Sequence, residues 1–143
     1  MRTLHNIDLK NNESGFTLRW QDRLILSHTA DAPCLWIGAG EADIEMFRGN
    51  FSIKDKLNEK IALTDATVTQ QSAGWAIRFT RGDAVSATLL VGVDAEGRLE
   101  LKLKNDAASH NRIWLRLAAQ PEDHIYGCGE QFSYFDLRGK PFP

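Results

Sequence analysis

Cysteine and proline are scarce in this 143-residue sequence, which holds only two of the first and four of the second. Cys34 and Cys128 lie far apart, so a single long-range disulfide is conceivable but no disulfide framework is. Lys and Arg total 17 against 19 Asp and Glu, a net charge of −2, which leaves no basic surface for nucleic acid or anionic lipid and no acidic tail. No stretch approaches the roughly 20 apolar residues of a membrane span. The start, MRTLHNIDLKNNES, has no apolar core for a signal peptide. The expectation is therefore a reducing, cytoplasmic setting with free thiols, and no membrane or nucleic-acid partner. The sequons Asn12-Glu13-Ser14 and Asn50-Phe51-Ser52 then have no secretory route to modification. The length excludes a (β/α)₈ barrel of about 250 residues and suits one ordinary domain. A 43 % apolar and 25 % charged composition argues against wholesale disorder.

What is present is a period of two. Phe16, Leu18 and Trp20 alternate with Thr17, Arg19 and Gln21, and Leu24, Leu26 and His28 with Arg23, Ile25 and Ser27. The same holds for Trp75, Ile77 and Phe79, for Leu99, Leu101 and Leu103, and for Ile113, Leu115 and Leu117. Successive side chains of a strand point to opposite faces, so this pattern makes half-buried strands. Val85, Ala87, Leu89 and Val91 fit too, with Leu90 making that strand apolar on both faces. Gly82-Asp83 reads as a type II′ hairpin turn, Asp94-Ala95-Glu96-Gly97 as a turn with Gly97 at positive φ, and Ser72-Ala73-Gly74 as punctuation. Strands at about ten-residue spacing with short turns predict an all-β, antiparallel β-sandwich with only short helical or loop elements. No internal repeat, low-complexity tract or interior linker is evident. The segment 41–61 is ambiguous. Ile53, Leu57 and Ile61 have helical spacing after Ser52, while Phe51 and Ile53 also alternate with Ser52 and Lys54; strand and loop is favoured because both neighbours are strands.

Little in the chain insists on chemistry. His124, Cys128 and Cys34 do not form a metal-ligand spacing, so no metal and no cofactor is expected. Either cysteine reads as an inert thiol rather than a nucleophile. Gly38-Ala39-Gly40 and Gly127-Cys128-Gly129 lack the third glycine and the following helix of a nucleotide loop, and read as turns. Arg81-Gly82-Asp83 is explained by its hairpin. The carboxylates Glu41, Asp43, Glu45, Glu122, Asp123, Glu130 and Asp136 are numerous, but spacing in a β chain does not show which converge as a glycosidase pair.

The exception is residues 124–140. They carry four of the nine Phe and Tyr residues and three of the eleven glycines, with Glu130-Gln131 in the middle. Aromatic faces stack on sugar rings while amides and carboxylates bond hydroxyls, so the stretch suits a polar small-molecule pocket. It equally suits a strand whose Phe132 and Tyr134 pack on a neighbouring domain.

Within that stretch, Tyr126-Gly127-Cys128-Gly129-Glu130-Gln131-Phe132, followed by Gly139-Lys140-Pro141, resembles the Y-G-x-G-E signature of glycoside hydrolase family 31. Three longer blocks are similar to the family's bacterial sulfoquinovosidase branch: 111–117 with its continuation to Pro143, Cys34-Leu35-Trp36-Ile37-Gly38, and 46–56. The resemblance covers nearly the whole chain. It implies an N-terminal β-sandwich of galactose mutarotase-like type (a supersandwich) spanning 1–143, ahead of a (β/α)₈ barrel that holds an Asp nucleophile and an Asp acid/base. It implies a retaining α-glycosidase acting on α-sulfoquinovosides, with the sandwich packed on that barrel and helping to close the sugar site. The chain stops at Pro143, before the barrel would begin, so no catalytic residue is assigned and the chain alone is expected to be inactive. Glu130, Gln131 and Phe132 match the motif and are the substrate-site candidates. A stand-alone sugar-binding or mutarotase-like module is the alternative.

Overall fold

The computed structural model describes residues 6–83, 85–126, 136 and 138–139. Ten strands follow one another: β1 (Ile7–Asn12), β2 (Gly15–Trp20), β3 (Arg23–Thr29), β4 (Leu35–Phe47), β5 (Asn50–Ala62), β6 (Asp65–Gln71), β7 (Gly74–Arg81), β8 (Val85–Val93), β9 (Leu99–Asn105) and β10 (Arg112–Leu115). There is no helix among the described residues. Among the described residues all pairing is antiparallel, in three sheets ordered β1-β2-β3, β10-β4-β5 and β6-β7-β8-β9.

One apolar cluster takes residues from every sheet. Phe16, Leu18 and Leu26 from the first sheet share it with Leu35 and Ile37 from the second and with Ile77, Phe79, Leu89 and Val91 from the third. These are the alternating residues of the sequence, so the period of two does build the core. Among the described residues, His28 is the one polar residue buried with them. It lies stacked on Phe16 at 5.4 Å and edge-on to Phe79 at 5.2 Å, joining the first sheet to the third.

β1 and β6 carry too few apolar side chains to announce themselves, and both are edge strands. A polar edge resists pairing with another chain. Their hairpins correspond position by position, although no repeat is evident at the level of the whole sequence. Asn11-Asn12-Glu13-Ser14-Gly15-Phe16-Thr17-Leu18-Arg19-Trp20 matches Gln70-Gln71-Ser72-Ala73-Gly74-Trp75-Ala76-Ile77-Arg78-Phe79, with Asn12 paired to Gly15 and Gln71 to Gly74. Both glycines have positive φ, 149° and 153°, and a Cβ on either would lie 1.9 Å from a backbone oxygen of the next strand.

Two local expectations are corrected, and a third, ambiguous one is resolved in favour of strand. Arg81 pairs with Val85, so the connection after β7 is one residue longer than a two-residue type II′ turn. Gly38-Ala39-Gly40 is not a turn but the middle of β4. Glycine is needed at position 38 because a Cβ there would lie 2.4 Å from the Glu59 carbonyl oxygen and 2.9 Å from the Trp114 ring. The ambiguous segment contains no helix; it is a long hairpin in which β4 and β5 pair from Trp36–Ala62 out to Phe47–Asn50.

That hairpin outruns its support. β10 flanks β4 only from Leu35 to Gly38, and the Asn111 side chain extends the ladder by one step, donating to and accepting from Gly40 at 2.9 and 3.0 Å. Residues 41–60 are all exposed, so the pair continues as an arm reaching roughly 20 Å beyond Gly40. At the bulge between Ala39 and Gly40, Asn58 is the extra residue on β5, which moves the odd-numbered residues of β5 to the other face. Near the core, Ile37 and Ile61 face inward; beyond the bulge, Leu57, Ile53 and Phe51 pair with Gly40, Ile44 and Met46 on the outward face. The inward face of the arm is instead Glu41, Asp43 and Glu45 opposite Lys56, Lys54 and Ser52. The polarity of the ribbon inverts along its length.

Candidate functional site

The predicted site residues Glu130, Gln131 and Phe132 lie outside the described residues, as does Cys128. What the structure describes is the framework on both sides of them. After β10 the chain passes back over the first sheet, with the Arg116 amide donating to the Cys34 carbonyl and the Ala118 amide to the Ile25 carbonyl, each at 2.8 Å. Asp123 then forms an ion pair with Arg23 at the start of β3 and accepts from the Gln120 amide at 2.7 Å. The Arg23 contact, helped by that amide, holds the Asp123 carboxyl below the usual carboxylate range.

Asp136 closes the segment. Its carboxylate lies 2.6 Å from His124 Nδ1 and accepts from the Ile125 and Arg138 amides at 3.1 Å each. The His124 contact first, then the two amides, push its pKa down to about 2. Arg138 donates to the carbonyls of Gln120 and Asp123, and the His124 ring stacks on Tyr126. Residues twelve apart in sequence are thus clamped together, bracketing the positions that carry Glu130, Gln131 and Phe132. In the sequence Asp136 is one carboxylate among many, because no spacing signal marks a residue that reaches back twelve positions.

The other residues considered from sequence are not brought together. Cys34 is a buried free thiol, its Sγ 3.6 Å from His28 Nδ1, and burial raises its pKa to about 11. His28 Nε2 donates to the Thr64 carbonyl at 3.1 Å, while Nδ1 accepts from the Cys34 amide at 3.3 Å. Burial lowers the His28 pKa, and the tautomer already uses both nitrogens. This is an uncharged core pair, not a nucleophile with a base. Glu41, Asp43 and Glu45 line the arm, with Glu45 3.4 Å from Lys54. Arg81-Gly82-Asp83 sits in the β7–β8 hairpin. Among the described residues no group of three His, Cys, Asp or Glu side chains forms a metal-binding cluster. No described helix is long and apolar enough to cross a membrane.

Residues 9–143 match the glycosyl hydrolase 31 N-terminal galactose mutarotase-like domain. The chain belongs to that family. Its all-antiparallel sheets, closed on a common core, are the sandwich architecture that the family describes. The family's relatives are specific as well. Over 140 residues the chain is 72 % identical to a sulfoquinovosidase of Escherichia coli (strain K12), covering 98 % of this chain and 21 % of that protein. It is 38 % identical over 141 residues to a sulfoquinovosidase of Agrobacterium fabrum (strain C58), covering 94 % and 19 %. A solved family 31 sulfoquinovosidase from E. rectale, in complex with the aza-sugar inhibitor IFGSQ, superposes with a TM-score of 0.71 at 33 % identity over 92 % of this chain and 19 % of that one. The chain spans about a fifth of the length of these relatives.

Proposed function

We propose that residues 1–143 form a single accessory domain of a cytoplasmic retaining α-glycosidase that hydrolyses α-sulfoquinovosides, packing on a catalytic barrel and helping to shape its sugar site. The observation that carries this reading is the 72 % identity to the E. coli sulfoquinovosidase across nearly the whole chain. Retention requires a carboxyl pair about 5–5.5 Å apart, one ionised to attack and one protonated to release the leaving group. The second role needs a raised pKa. The carboxylates whose environments are strongest here, Asp94, Asp123 and Asp136, are all shifted downward by hydrogen bonds. They are suited to holding the chain in place, and the catalytic pair is assigned to the barrel.

Within this reading Glu130, Gln131 and Phe132 border the sugar, the amide and carboxylate bonding hydroxyls and the ring stacking on an apolar face. The clamp of His124, Asp136 and Arg138 fixes the ends of the segment that carries them. Hydrolysis of an aryl α-sulfoquinovoside tests the proposal. The full-length polypeptide turns it over with retention, purified 1–143 does not, and calorimetric titration of 1–143 with sulfoquinovose shows no saturable heat. Turnover by 1–143 alone, or saturable binding to it, overturns the accessory reading in favour of a stand-alone module.

A further inference from the structure

The arm formed by β4 and β5 beyond Gly40 presents an apolar face with nothing over it among the described residues. Ile44, Met46, Phe51, Ile53 and Leu57 share that face and are 45–69 % exposed. A two-stranded ribbon is marginal in water without cover on one face. Its apolar side chains normally supply that face to the core, yet here the bulge has turned them outward, so the cover comes from outside this fold. We infer that this face is where two copies of the chain pack against each other, arm on arm.

Three features select a second copy as the occupant. The patch is apolar and brings no unpaired charge, so it can meet an identical patch without burying a charge. Asp55, the one charged residue in the row, is already held by Arg112 Nη2 at 2.6 Å, and the Glu and Lys side chains of the arm lie on the opposite face. The area is sufficient: side chains of this size and exposure present on the order of 500 Å² per copy. Two arms together then bury about 1,000 Å², the lower bound of a specific interface. The described residues that follow β10, finally, pack far from the tip. Residues 116–123 and 138 lie against Cys34, Ile25 and Arg23, beside the start of β4 and about 40 Å from Phe47 along the strand. The unpaired edges of the arm are poorer contacts between copies. Pairing β4 with its own copy sets an acidic row on an acidic row, and pairing β5 with its copy sets lysine on lysine.

A photo-activatable phenylalanine analogue placed at position 51 of the full-length polypeptide tests this directly. Irradiation yields a product of twice the polypeptide mass, with the link mapped to residues 44–57 of the second copy. Links confined to a single polypeptide place the arm on another part of the same molecule and overturn the inference, as does capture of a different protein. Phe51→Glu combined with Ile53→Glu halves the mass measured by sedimentation equilibrium; an unchanged mass overturns it. If that pair of changes costs the β-sheet circular dichroism signal, Met46→Lys alone provides the same reading, since Met46 is 69 % exposed and lies outside the core cluster.

Discussion

The carboxylate of Asp136 lies 2.6 Å from Nδ1 of His124 and within 3.1 Å of the Ile125 amide, so one side chain ties together two stretches twelve residues apart. Asp136→Asn keeps the size of the group and removes its charge. The Ile125 and Arg138 amides are expected to exchange with solvent at least tenfold faster in the variant, read by hydrogen exchange. Unchanged protection of both amides would remove the clamp from the account.

The depressed Asp136 pKa has a defined pH consequence. In the unfolded chain the group titrates near 3.8, in the folded chain near about 2. Its stabilising contribution is present above about pH 4 and is lost as pH falls through about 2. Chemical-shift titration of the Asp136 carboxyl carbon is expected to give a midpoint near 2, and a midpoint at the ordinary value of 3.8 would contradict the hydrogen-bond pattern.

His28 acts in a higher window. Buried between Phe16 and Phe79, it resists protonation, while the unfolded imidazole takes up a proton near 6.5. The unfolded state therefore binds more protons below that value, and stability falls as pH drops from 7 toward 5. Urea midpoints measured at pH 7 and pH 5 are expected to differ for the native sequence and to converge for His28→Gln, which carries no titratable ring. Equal pH dependence in the two proteins would show that another group is responsible.

Cys34 gives the opposite sign. Burial raises its pKa from 9.0 to about 11, so the unfolded thiol ionises first and stability declines between pH 9 and pH 11. At pH 8 the folded thiol is expected to react with iodoacetamide more than tenfold more slowly than in urea. Rapid labelling under native conditions would place Cys34 outside the core.

Gly15 and Gly74 test the hairpin correspondence. A Cβ at either would meet backbone at 1.9 Å, against an open environment at Gly49, where φ is 82°. Gly74→Ala and Gly15→Ala are each expected to cost more than about 2 kcal/mol, and Gly49→Ala about 1 kcal/mol, by thermal unfolding. Similar costs at all three would refute the close-approach argument.

The sandwich was legible because burying one face of a strand leaves a period of two. That mark is plain at Phe16, Leu18, Leu26, Ile77, Phe79 and Leu89. β1 and β6 were silent for a related reason, since edge strands are stabilised by backbone pairing and carry little apolar pattern. The β4–β5 hairpin was ambiguous because one residue, Asn58, shifts its register. Ile53, Leu57 and Ile61 then show helical spacing in sequence while sitting on two faces of a ribbon. The candidate site was legible only as a motif, and its clamp was not, because His124 and Asp136 meet through a return of the chain that spacing does not encode.

By itself, then, the sequence determined the strand period, the balance of charge and the motif that places this chain in its family. These are properties of neighbouring residues, fixed by the geometry of one strand or by local composition. Tertiary structure alone decided that His28 is an uncharged core residue held by Thr64 and Cys34, that Asp136 is a clamp, and that the arm turns its apolar face outward. Each depends on which distant backbone a side chain meets: burial sets the charge of His28, a chain reversal gives Asp136 its partners, and a single bulge chooses the face on which Phe51 and Ile53 emerge.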